Sequence, residues 1–214
     1  MPMPYLTLNY LQKKRWISYW YQIKEAASLK NVHSVLEVGS GNKIVVDTLL
    51  KMSYKVKTLD SNSKTRPDFL IDIIQSKKLP PEMFDLVLCC EVLEHLPYSS
   101  FALALKNLYS LTKKYLLISL PYTSRGTFKP YFNVHLFPFF KPISWVKIFN
   151  FFPRPHTFNG QHYWEIGKKG YPLKKILRDV SRIGFNIVKK YPIPENPYHY
   201  LILCQKKPYG QSLC

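Results

Sequence analysis

Two short apolar runs constrain this chain most: Phe84–Cys89, broken only by Asp85, and Tyr115–Leu120, which Pro121 stops. Each is too short for an ordinary helix and lacks the alternation of a strand with one wet face. Both read as strands buried on two sides, the pattern of a parallel sheet covered by helices. The neighbouring segments fit. Strands are expected at His33–Val38, Lys55–Leu59 and briefly at Phe69–Ile71, with helices at Asn9–Leu29 and Lys43–Lys51. Another helix, capped by Ser99 or Ser100, runs to Lys113. Pro172 suits a first helical position; Leu173, Ile176, Leu177 and Val180 form one apolar stripe, and Gly184 stops it. Phe185–Lys189 and His199–Cys204 follow each other closely, so one of them is antiparallel. The expected class is α/β: a three-layer sandwich around a mostly parallel, seven-stranded sheet with one antiparallel strand near the C-terminus.

The chain has 214 residues, 46% hydrophobic and 21% charged, which provides a proper core and argues against disorder. One domain is expected over 1–214, opened by a helical segment at 1–30 and carrying an insert at 123–161. Cys89, Cys90, Cys204 and Cys214 form no C-x-x-C pair and no disulfide framework, so a reducing, cytoplasmic setting is expected. Met1–Tyr10 lacks the basic start and apolar core of a signal peptide. No apolar run reaches the roughly 18 residues of a membrane-spanning helix.

The first motif is Val35-Leu36-Glu37-Val38-Gly39-Ser40-Gly41-Asn42. A strand ending in Gly-x-Gly and opening a helix lets backbone approach a ligand at the helix N-terminus. Dinucleotide folds want a third glycine where Ile44 stands, and no Gly-Lys-Ser/Thr follows for a phosphate loop. Glu37 instead puts a carboxylate at the strand tip, which favours a cationic amino group over a phosphate. Asp60 ends the second strand, where an acid accepts from ribose hydroxyls, and Asp72 follows the third, where an acceptor can meet an adenine amino group. Together the three acids suit a nucleoside with a positively charged tail. Ordinary turn chemistry is the alternative for the glycines alone.

Here the chain resembles the class I S-adenosylmethionine-dependent methyltransferases of the small-molecule, ubiquinone-methyltransferase-like group, a Rossmann-like fold. The resemblance rests on LEVGSGN (36–42), TLDSN (58–62), FLIDI (69–73), FDLVLCCEVLEHLP (84–97) and LLISLPY (116–122), with a weaker segment, GQHYWEIGKKGYPLKKI (160–176). It implies S-adenosylmethionine as cofactor, with Glu37, Gly39 and Gly41 around its methionine part, Asp60 on the ribose and Asp72 on the adenine. Lys43 stands where the family often has a third glycine. Methyl transfer to an unidentified acceptor is implied, a small molecule first. A catalytically silent, cofactor-binding scaffold is the rival from another class.

The second motif, Glu91-Val92-Leu93-Glu94-His95-Leu96, leaves the buried strand at the edge where such sheets bind ligands. If helical, Glu91, Glu94 and His95 share a face. Three readings stay open. The acids are solvated on a loop helix; or Cys90 and Glu91 touch the cofactor while His95 is a general base; or Glu91, Glu94, His95 and the later His162 hold Mg²⁺ or Mn²⁺. Some relatives, among them small-RNA 3′-end methyltransferases and certain quinone O-methyltransferases, use a similar Glu-x-x-Glu-His with a downstream His. His162 is the substrate-facing candidate outside the main motif and, with His95, a catalytic candidate.

Thirteen of the 39 residues from Gly126 to Trp164 are aromatic, and from Pro121 to Trp164 only Arg125, Lys129, Lys141, Lys147 and Arg154 are charged. Long loops are usually functional, and in the family this region covers the substrate. A lid, a packed aromatic subcore and an interfacial membrane anchor are the readings. The formal charge of +18 points to an anionic partner. Lys13, Lys14 and Arg15 with Lys174, Lys175, Arg178 and Arg182 could follow RNA, or could simply be solvated. An RNA methyltransferase and contact with an anionic membrane surface therefore stand beside the small-molecule reading.

Overall fold

The computed structural model describes residues 5–122, 127–134, 143–158 and 160–207. Arg125, Phe139, Phe140, Lys141 and Cys214 lie outside the described residues. In chain order the elements begin with α1 (Lys13–Ser28), β1 (Ser34–Val38), α2 (Ile44–Lys51), β2 (Lys55–Asp60) and β3 (Phe69–Leu70). There follow β4 (Phe84–Cys90), α3 (Tyr98–Leu111) and β5 (Thr112–Pro121). Four short strands come next: β6 (Thr127–Phe128), β7 (Tyr131–Val134), β8 (Ile143–Val146) and β9 (Phe149–Asn150). The chain closes with α4 (Leu173–Arg182), β10 (Phe185–Ile193) and β11 (Asn196–Lys206).

Seven strands pair in the order β10-β11-β5-β4-β1-β2-β3. β1 runs parallel to β2 and β4, β2 to β3, and β4 to β5, whereas β11 is antiparallel to both its neighbours. The one reversed strand follows from the short Ile193–Asn196 link, which leaves no room for a crossover helix. Alternation along β4 sets the layers: Leu86 and Leu88 join Tyr21 and Ala26 of α1 and Val45 and Leu49 of α2 in one core. Val87 and Cys89 join Phe101 and Leu105 of α3 and Ile176 and Val180 of α4 in the other. The expected Rossmann-like three-layer sandwich is therefore the observed one.

Three local expectations are corrected. The first helix starts at Lys13, because residues before it turn back, with Tyr10 and Leu11 N–H donating to the Thr7 carbonyl. Neither Ser99 nor Ser100 caps α3: the helix begins at Tyr98 behind Pro97, and Ser100 N–H donates to the Pro97 carbonyl. The segment between β5 and α4 also holds strand pairs, β6 with β9 and β7 with β8, as two antiparallel ribbons outside the main sheet. Its end returns to the core, where Trp164 is fully buried against Tyr98 and Phe101 and Ile166 N–H donates to the Pro121 carbonyl.

Candidate functional site

The parallel strands β1, β2 and β4 end together, and beyond their carboxyl ends lies a cleft of ≈ 690 Å³. At one end it is walled by Gly39, Gly41, Asp60, Ser61 and Asn62. The glycine turn needs its glycines: Gly39 has φ +75°, and a Cβ there would sit 2.4 Å from Val92 Cγ2. Gly39 N–H donates to the Leu59 carbonyl, tying the turn to β2. Lys43 adopts φ +61° at the head of α2, which explains why a glycine would suit that position. Asn42 steadies the turn by donating to Tyr19 Oη on α1 (2.8 Å) and accepting from Ile44 N–H (3.2 Å).

Asp60 faces the cleft with one carboxylate oxygen accepting from Asn62 N–H at 2.9 Å. Glu37 lies beneath the turn, buried, and among the described residues its Oε2 has no hydrogen-bond partner. Burial, with Asp47 and Asp60 nearby, pushes its carboxyl up to about 8. The Ser40 hydroxyl is likewise buried and unpartnered. Orphaned polar atoms at a narrow glycine turn are what a bound polar ligand would satisfy. None of Glu37, Ser40 and Asp72 is part of the cleft wall itself: the first two belong to the strand tip and turn that carry Gly39 and Gly41, and the Asp72 side chain caps the 3-10 turn Ile73–Lys78 by accepting from Ile74 N–H. Cys90 also stays off the wall, with burial first and then Glu37 and Glu91 holding its thiol protonated.

The other end is built from the second motif and the returning insert. Glu91, Glu94 and His95 do not share a helical face. Glu91 takes a left-handed backbone (φ +55°), a strained choice for a bulky residue, and only Leu93–His95 form a 3-10 turn. Glu91 consequently points to the sheet, where Ser119 Oγ donates to its Oε1 (2.7 Å) and His199 Nε2 lies 3.4 Å from its Oε2. Burial lowers the proton affinity of His199, against the opposing pull of that carboxylate. Glu94 is completely buried, which overturns the solvated-acid reading, and among the described residues neither carboxylate oxygen has a hydrogen-bond partner. Burial first, then Glu91, pushes its carboxyl well up.

Tyr163 N–H donates to the Glu94 carbonyl and Trp164 Nε1 to that of Leu96, which swings His162 against this turn. The His95 and His162 rings meet edge to face at 5.0 Å. His95 Nδ1–H donates to the Gln161 carbonyl (3.0 Å), and burial lowers its proton affinity. His162 Nδ1–H donates to Glu165 Oε1 (2.9 Å), and Tyr198 Oη donates to the same oxygen (3.2 Å). One donor atom from each of Glu94, His95 and His162 lies within 4.8 Å of the others. Glu91, engaged elsewhere, is outside that group.

Several wall residues escaped the sequence. Tyr5, Tyr10 and Arg15 come from the N-terminal segment, and Arg15 Nη1 donates to Tyr10 Oη at 3.0 Å. Tyr198 and His199 arrive on β11, and Glu165 stands behind His162. The supposed basic RNA face is partly spent internally. Arg15 lies in the cleft, Lys175 sits 4.2 Å over the Tyr98 ring, and Arg178 pairs with Asp179 at 3.6 Å.

Comparison with known proteins follows this geometry. Residues 31–115 match the family model described as a methyltransferase domain. No curated protein matches the chain. Among solved structures it is similar to 1,6-didemethyltoxoflavin-N1-methyltransferase of Burkholderia thailandensis, bound to its substrate and S-adenosylhomocysteine. That match has 15% identity and a TM-score of 0.60, over 89% of this chain and 79% of that one. It is similar too to magnesium protoporphyrin IX methyltransferase of Synechocystis with S-adenosylmethionine, at 16% identity and TM-score 0.60, over 91% and 80%. The [4+2]-cyclase SpnF matches at 10% identity and TM-score 0.57, over 90% and 80%. At these identities the structures share a fold, and nothing singles out the ubiquinone-methyltransferase-like branch. Residues 31–115 thus match a methyltransferase domain, and the chain as a whole shares the fold of S-adenosylmethionine-dependent methyltransferases.

Proposed function

We propose that this enzyme moves a methyl group from S-adenosylmethionine to a small-molecule acceptor held between Glu91, His95, His162, Tyr163, Tyr198 and His199. One observation carries the reading: a single cleft of ≈ 690 Å³ joins the glycine turn and Asp60 to a histidine-rich end, a volume suited to small ligands. S-adenosylmethionine brings a methyl group on a sulfonium, reactive without further activation. The chain then has to orient and to exclude water. Asp60 accepts from the ribose hydroxyls, and Glu37 and Ser40, buried and unpartnered, receive the cationic end. His162, with its proton fixed on Nδ1 by Glu165, offers Nε2 to the proton of an acceptor hydroxyl or amine. Asp72 in this reading acts on the adenine only through the turn it caps. The setting is the cytoplasm; among the described residues no helix is long and apolar enough to cross a membrane.

The test is incubation with methyl-labelled S-adenosylmethionine and a panel of hydroxyl- and amine-bearing metabolites. Formation of S-adenosylhomocysteine above the acceptor-free rate, lost in His162→Gln, supports the reading; no acceptor-dependent turnover with any panel member counts against it.

A second reading concerns a divalent metal at Glu94, His95 and His162. The observation favouring it is a fully buried carboxylate with both oxygens unpartnered, beside two imidazoles oriented through Nδ1 by a carbonyl and a carboxylate. A metal there would polarise an acceptor oxygen. Calorimetric titration with Mn²⁺ decides: binding abolished by Glu94→Gln supports it, and binding unchanged by that variant, or absent, removes it.

A further inference from the structure

The ribbon β7–β8 is amphipathic with a period of two. Phe132 stands opposite Trp145 and Val134 opposite Ile143, so these four side chains leave one face. Tyr131, Asn133, Ser144 and Val146 leave the other. That second face is polar and partly turned inward: Val146 is buried, and Tyr131 Oη donates to Ser144 Oγ at 3.2 Å. The first is open to water, with Phe132, Val134, Ile143 and Trp145 exposed at 50, 50, 66 and 52%. Phe132 stacks on Trp145, 5.2 Å between centroids. The companion ribbon β6–β9 adds Phe128, and Phe151 and Phe152 follow it, all more than 60% exposed.

So many large apolar side chains on one small appendage mark an interaction surface. Its charge narrows the partner. No acid occurs from Pro121 to Trp164, while Lys147 directly follows β8 and Arg154 lies a few residues beyond β9. The chain as a whole carries +18.

We propose that this face docks the protein on an anionic lipid bilayer. Phe132, Val134, Ile143 and Trp145 enter the boundary between headgroups and acyl chains, and Lys147 and Arg154 stay at the phosphates. Trp and Phe suit that boundary, where ring edges meet headgroups. The rival occupants fit less well. Two copies of the chain meeting on this face would oppose cations with no acid to answer them. Nucleic-acid bases stack on rings, but Val134 and Ile143 offer a base nothing. A bilayer accommodates both kinds of side chain and neutralises the cations.

The experiment is co-sedimentation of the full chain with vesicles of phosphatidylglycerol and phosphatidylcholine, beside vesicles of phosphatidylcholine alone. The expected result is binding to the anionic vesicles that weakens with salt and falls about tenfold or more in Phe132→Ser/Ile143→Ser. Because that variant could misfold, S-adenosylmethionine binding and melting are measured on it as well. Trp145→Phe supplies a second, conservative readout: bromine placed in the acyl chains quenches wild-type tryptophan emission, and most of that quenching disappears in the variant. Absence of vesicle binding overturns the proposal, as does binding that neither variant alters. A dimer dissolved by Phe132→Ser/Ile143→Ser without lipid, or single-stranded RNA binding lost in that variant, also overturns it in favour of another occupant.

Discussion

Glu37→Gln is expected to make the ligand-free protein more stable and the cofactor site worse. Glu37 is buried, one oxygen has no partner, and burial pushes its carboxyl up from 4.5 to about 8. A raised carboxyl binds its proton more tightly folded than unfolded. From pH 4.5 to pH 8 the unfolded chain therefore ionises while the folded chain does not, and stability falls as pH rises. Each unit costs about 1.4 kcal/mol, so Glu37 costs about 2 kcal/mol at pH 6 and at most about 5 kcal/mol above pH 8. Glutamine has no proton to lose. Its advantage over wild type should thus grow by about 3 kcal/mol between pH 6 and pH 8.5, or about 6–12 °C in Tm for a chain of this size. Other titrating groups are shared and cancel in the difference. Thermal melts of both proteins at the two pH values measure it. In the same variant, S-adenosylmethionine affinity at pH 8 should fall about tenfold, because a charge-assisted bond becomes a neutral one. A Tm difference that is the same at both pH values would refute the reasoning, since it would mean that Glu37 titrates in the folded protein as it does in water.

Four further substitutions test the frame of the fold. Gly39→Ala combines positive φ with a 2.4 Å approach to Val92 Cγ2, so it should cost about 2–4 kcal/mol in denaturant melts. Val92→Ala should relieve only the clash. Lys43→Gly should gain up to about 1 kcal/mol by relieving φ +61°, less what is lost with the exposed Lys43 Nζ bond to the Arg66 carbonyl. Asp85 is desolvated, but the His33 N–H, Lys114 and the Ser34 N–H and hydroxyl outweigh that and hold its carboxyl well below the usual range. Its contribution is therefore present above pH 4 and lost as pH falls further, and Asp85→Asn should cost about 1–3 kcal/mol at pH 7 while flattening the acid limb of the stability curve.

The central sheet was legible because β4 and β5 are buried on both faces and cannot be mistaken for half-wet strands. The single reversed strand followed from the short link between the last two strands, whereas the strand order came only with the structure. The glycine turn was legible for a local reason too, since Gly39 and Gly41 sit where the backbone needs positive φ. The second motif misled because helical spacing was imposed on residues that include Glu91, whose left-handed backbone breaks the helix and brings its side chain to Ser119. Nothing in the residue type announces that conformation. Asp72 was placed after the third strand correctly; it accepts from Ile74 N–H just as Asp60 accepts from Asn62 N–H, but the cleft wall includes Asp60 and not Asp72, a difference visible only in three dimensions. Tyr10, Arg15, Tyr198 and His199 reach the cleft from opposite ends of the chain, and no local pattern encodes such a meeting. Glu165 was not singled out; its place three residues after His162 was the one signal at hand and went unused. The strands of the two ribbons were hidden by composition, because aromatic residues with prolines give no clean alternation until the pairing is known.

The account stands or falls on whether this cleft holds S-adenosylmethionine through Asp60. Calorimetric titration of the purified chain should show one site with micromolar affinity, weakened about tenfold or more by Asp60→Ala while the melting temperature holds. No heat of binding, or equal affinity in the variant, would contradict it.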